Sequence, residues 1–98
     1  MSLSAVDASE VENDRQQLIR ELEDESGSDW AKEFLPGTFG CHELLDRTSL
    51  MLNILESNLL EHPACVVNAE WYGLAEQAAA ALRELYQQVG RGHLGAPN

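Results

Sequence analysis

The chain reads as an all-α protein, and three observations carry that reading. Apolar residues from Leu44 to Leu59 and from Trp71 to Val89 recur at three- and four-residue steps, the period of an α-helix. Helix-start residues precede both runs, and Pro63 and Gly90 bound them. The architecture expected is an antiparallel helical hairpin, about 41–61 and 69–89, with a weaker N-terminal helix at about 10–24 and a short helical turn near 30–35.

The N-terminal helix has a thin apolar stripe, Val11, Leu18, Ile19 and Leu22, opened by a capping box in which Ser9 is N-cap and Glu12 lies three residues on. Gly27 can close it at positive φ. Glu21, Glu23, Asp24 and Glu25 crowd its last turns, where the helix dipole favours cations, so the expectation is a helix that depends on docking for stability or else a mobile acidic arm. Ser28 and Asp29 then cap the turn that Pro36 and Gly37 end, and Trp30, Phe34 and Phe39 are expected to plug the open end of a helical core. An aromatic ligand pocket is the alternative for these three, and no neighbouring residue supports it.

For the central helix, Gly40 is read as N-cap, with Glu43 reaching back to its amide and Phe39 stapled against Leu44. Leu44, Leu45, Thr48, Met51, Leu52, Leu55 and Leu59 share one face, while Leu50 and Ile54 lie on another. A helix apolar on more than one face is buried by more than one neighbour. Pro63 stops it near Glu61, and the short loop His62–Val67 makes the next helix antiparallel. Asn68 caps that helix, and Trp71, Ala75, Ala78, Leu82, Leu85 and Val89 form its seam, broadened by Leu74 and Tyr86 and ended by Gly90. A hairpin alone leaves the central helix partly uncovered. The expected solution is a three-helix unit that pairs into a dimeric helical bundle, with a monomeric three-helix bundle as the alternative.

The organisation expected is a flexible N-terminus at 1–8, one small helical domain at 9–90 and a flexible tail at 91–98. Seventeen Asp and Glu stand against six Lys and Arg, a net charge of −11. Nine of those acids, with two arginines, fall in residues 1–29. This balance repels phosphate backbones and anionic membranes, so neither nucleic acid nor membrane is an expected partner. The absence of a basic, apolar leader and the two cysteines, too few for a disulfide scaffold, are those of a cytoplasmic chain.

Candidate chemistry is confined to the opening of the central helix, at Cys41, His42 and Glu43. At the first helical position the Cys41 thiol would sit among unpaired amides at the positive end of the dipole, a setting that activates thiols. The bland reading is a helix start, with Glu43 as a cap, Asp46 favourable to the dipole and Arg47 paired to Glu43. Cys41 and His42 with His62 and Cys65 have the residue types of a zinc set, but twenty-one residues at ~1.5 Å each put the two ends of the helix ~31 Å apart, which excludes one tetrahedral site within the chain. The order His42-Glu43-Leu44-Leu45-Asp46 lacks the second histidine of a helical zinc-protease motif. No metal, cofactor or catalytic residue is therefore assigned. The function expected is protein–protein interaction or regulation, as a homodimer with a further protein partner, and a thiol-based or metal-binding activity at Cys41 is the alternative.

Overall fold

The computed structural model describes residues 7–95, and among them every regular element is a helix. The chain divides into two compact units, with the boundary between Glu33 and Phe34. In the first unit lies α1, Ala8–Ser26. Its N-cap is Asp7, two residues before the Ser9 expected, because a carboxylate there reaches both the Ser9 amide at 2.9 Å and the Glu10 amide at 3.4 Å. Glu12 consequently does not turn back to a cap; it pairs with Arg15 at 2.7 Å and accepts from Gln16 at 2.8 Å. Gly27 ends the helix at φ 84°, as expected, and its amide donates to the Glu23 carbonyl at 2.8 Å. Within this helix only Ile19 is half-buried, and Val11, Leu18 and Leu22 are exposed.

A 3₁₀ turn, Trp30–Phe34, stands where the helical turn was expected. Of the three aromatics expected as a plug, Trp30 is half-buried, but Phe34 is exposed and Phe39 is 77% exposed, so the three do not form one. The reason is a shift in the next helix start. In α2, Phe39–Leu55, the N-cap is Thr38 and not Gly40, so Phe39 becomes the first helical residue and points outward. The Thr38 hydroxyl accepts from the Cys41 amide at 3.3 Å and donates to the Leu35 carbonyl at 2.6 Å, tying the preceding turn to the helix. A threonine makes this side-chain bond and glycine cannot, which decides the cap. The staple between Phe39 and Leu44 and the return of Glu43 to Gly40 are lost with it.

Beyond Leu55 the helix widens into a π segment, Glu56–Leu60, in which the Glu61 amide donates to the Glu56 carbonyl five residues back at 3.1 Å. Ser57 Oγ and Asn58 Nδ2 donate to the Asn53 and Ile54 carbonyls at 2.9 Å each. Helical backbone thus ends before Pro63, as expected. The loop that follows contains one further helical turn, α3, Pro63–Val66, with His62 as N-cap and proline at its start, where the missing amide costs nothing.

The last helix, α4, is Ala69–Leu94, capped as expected by Asn68, which accepts from the Glu70 and Trp71 amides at 3.1 Å. It runs through Gly90 and Gly92, so the expected stop at Gly90 is absent. A helical glycine costs ~1 kcal/mol and does not by itself break a helix. Of the terminal segments expected to be flexible, residues 1–6 and 96–98 lie outside the described residues, while Ala8 and Arg91–Leu94 are helical.

The second unit is the expected antiparallel hairpin: α2 and the π segment pack along α4, and α3 covers their junction. Its core is small. Leu45 and Ala79 are the buried apolar residues, with Ala79 fully enclosed, and Thr48 is buried with its hydroxyl donating to the Leu44 carbonyl at 2.7 Å. Ala75, Ala78, Leu82 and Val89 of the expected seam are half-buried, but Trp71 and Leu85 are exposed. The contact line has rotated toward Ala79 and His93. Within the second unit the central helix is not buried on two sides, because none of that unit's described residues covers Leu44, Leu50, Met51 and Ile54, which are all exposed.

Candidate functional site

The opening of α2 gathers the three residues singled out for chemistry, and their neighbours define what each does. Cys41 is the third helical residue and half-buried, with its own amide taken by Thr38. His42 is exposed, with Nε2 3.4 Å from an Asp46 carboxylate oxygen. Glu43 pairs with Arg47 at 3.5 Å, the i,i+4 contact expected. Cys65 is half-buried beyond the far end of the same helix, and neither cysteine is in a disulfide. Among the described residues no group of three or more His, Cys, Asp or Glu is placed to hold a metal ion.

One residue at this end was not anticipated. His93, in the last turn of α4, accepts the Gly37 amide on Nδ1 at 2.9 Å, and its ring lies 5.5 Å from that of His42. Gly37 holds φ 91°, a conformation that glycine takes without a Cβ clash. The bond fixes the turn before α2 to the end of α4. The signal for it was present, since His93 lies four residues after Val89 and so continues the inward stripe.

The larger feature is a difference between the two flanks of the hairpin. On one flank Arg83 of α4 reaches Glu56 of the π segment at 3.8 Å and pairs with Glu76 two turns earlier on its own helix. Charge closes that side. On the other, Met51, Ile54, Leu55, Asn58 and Leu59 meet Leu82 around an open groove of about 300 Å³.

Helical geometry explains why the groove is one-sided. At ~100° per residue, Leu44 and Met51 lie roughly 100° round from the line of Leu45 and Leu52 that faces α4, and Ile54 lies further round in the same sense. Trp71, Ala78 and Leu85 are displaced by a similar angle, in the same sense, from Ala79. In an antiparallel pair, equal rotations in the same sense point to the same side. The two apolar sectors therefore merge into one face, on which Leu44 is 48%, Met51 52%, Leu59 51% and Leu85 42% exposed. No Asp or Glu of α2, the π segment or α4 falls in it: Glu43, Asp46, Glu56, Glu70, Glu76 and Glu84 occupy other positions on the wheel, and Glu61 follows in the turn after the π segment. Fully burying a large apolar side chain contributes ~1.5–3 kcal/mol, so covering several that are half-exposed contributes on the order of 5 kcal/mol per hairpin. Contiguous apolar surface of this kind marks interaction sites.

No protein-family model, curated protein or solved structure matches the chain. No helix among the described residues is long and apolar enough to cross a membrane.

Proposed function

We propose that the protein is an interaction module that acts by presenting the apolar face of its helical hairpin to another protein, with self-association into a homodimer as one form of that binding. The observation that carries this reading is the merging of two exposed apolar sectors, one from each helix, into a single face without carboxylates in a chain of net charge −11. A helical surface is the chemistry that fits, because ridges of side chains from a partner helix fill an open groove between two helices. A further protein partner would use the same groove, and the charged flank around Arg83 would remain in solvent.

The test is site-specific photo-crosslinking in the full-length chain. A benzophenone side chain at Met51 should give a discrete protein adduct, identified by mass spectrometry as a second copy or another protein. The same probe at Asn53, outside the apolar sector, should give none. Equal labelling at both positions, or no adduct at Met51, would overturn the proposal.

A further inference from the structure

We infer that His93 is a protonation-controlled latch: neutral, it holds the turn before α2 to the end of α4 through the Gly37 amide, and charged, it releases that turn. The bond fixes the state of the ring. Nδ1 accepts the Gly37 amide at 2.9 Å, so in the closed form it carries no proton and the ring's proton is on Nε2. An imidazolium has a proton on both nitrogens and no acceptor. Protonation therefore sets two N–H groups against each other across the same 2.9 Å, and an attraction becomes a repulsion.

Among the described residues no other side-chain hydrogen bond can substitute for this one. It joins positions 56 apart, whereas every other side-chain hydrogen bond spans seven residues or fewer. Apolar packing does not replace it, since Phe34, Leu35, Pro36, Gly37 and Phe39 are all exposed. The Thr38 amide and hydroxyl donate to the Leu35 carbonyl at 3.0 and 2.6 Å, which keeps the shape of the turn without tying it to α4. The titratable and charged groups around the ring come from two helices. On α2, His42 lies 5.5 Å away ring to ring, with an Asp46 carboxylate oxygen 3.4 Å from its Nε2. On α4, Arg91 shares the last turn with His93, and residues 35–37 carry no charged side chain. With both histidines protonated, two like charges stand 5.5 Å apart; Asp46 offsets one of them, and the remaining repulsion adds to the release.

Solution NMR of the full-length chain tests this, with the Gly37 and Ala79 amides followed from pH ~8 to ~5, either side of the ~6.5 of a free imidazole. Each solvent-exchange rate is divided by the intrinsic rate at that pH. On acidification Gly37 should lose protection about fivefold, the effect of one net hydrogen bond, while the enclosed Ala79 keeps its own. Ring-nitrogen shifts should show His93 with an unprotonated Nδ1 at the upper pH. His93→Asn puts a non-titrating oxygen where Nδ1 sits and should hold Gly37 protected at both ends of the range. An Asn variant unprotected at both ends supports the latch as well, because the response to acid has gone with the imidazole. An Nδ1–H tautomer at the upper pH, a wild-type Gly37 that ignores pH, or a loss of the same size persisting in His93→Asn would overturn the inference. So would Ala79 opening together with Gly37, since that is acid unfolding of the hairpin and not release of one turn.

Discussion

At the scale of single residues, the most informative contacts are those that replace an expected cap. Because Asp7 takes the N-cap of α1, Glu12 is free to bind Arg15 and Gln16, and these hydrogen bonds, Arg15 first, hold its carboxyl down at about 2, well below its ordinary 4.5. A depressed carboxyl stabilises the helix above its unfolded pKa, and the contribution disappears as pH falls through the folded value. Carboxyl-carbon NMR should therefore show Glu12 ionised until the pH drops from 4.5 toward 2, and Arg15→Ala should return its midpoint toward ~4.3. A midpoint unchanged by the substitution would mean that the Arg15 contact is absent in solution. At the other end of the chain, His93 bonds the Gly37 amide. A net hydrogen bond contributes ~1 kcal/mol, so His93→Ala should speed hydrogen exchange at Gly37 about fivefold. No change there would remove the tether between the turn and α4.

At the scale of elements, the helices were legible because periodicity, caps and proline placement agreed with one another. Asn68, Gly27 and Pro63 act as read. Two boundaries were misread for the same reason: glycine was given more authority than it has. The cap is read at Gly40 without considering Thr38, whose hydroxyl is the better acceptor, and the stop is read at Gly90, where only glycine's entropy opposes the helix. The second error concealed His93 and with it the candidate site's link to α4. The outer apolar flank was legible as residues but not as a face, because a helical wheel cannot separate positions that meet the partner helix of the hairpin from those that remain open. Glycine's cost also yields a prediction. A Cβ at Gly90 would meet Leu45 Cδ1 at 3.7 Å, ordinary contact, and one at Gly73 would meet nothing within 4 Å. Gly90→Ala and Gly73→Ala should each stabilise the hairpin by about 0.5–1 kcal/mol in thermal or urea unfolding. Loss of stability at Gly90 would show that Leu45 packs more tightly against α4 than this contact allows.

At the scale of the whole molecule, the hairpin's small core and its broad outer face are two aspects of one fact: apolar residues were distributed along α2 and α4 for more neighbours than one helix can provide. Enclosing only Leu45, Ala79 and Thr48 leaves little to hold the helices together, so association and folding should be thermodynamically coupled. The melting midpoint of the full-length chain should then rise with protein concentration, as it does whenever the folded state is the one that binds. Salt separates this from attraction to a basic partner. Two chains of −11 repel over a distance that shrinks from ~30 Å at 0.01 M ionic strength to ~3 Å at 1 M, while the apolar face itself carries no ion pair to be screened. Raising salt from ~0.05 to ~0.5 M should therefore tighten the dimer and raise the midpoint, whereas an electrostatic complex would loosen. Calorimetry at two concentrations and two salt levels measures both terms together. A midpoint that ignores concentration would remove the coupling, and one that falls with salt would mean that carboxylates, not Met51 and its neighbours, hold the partner.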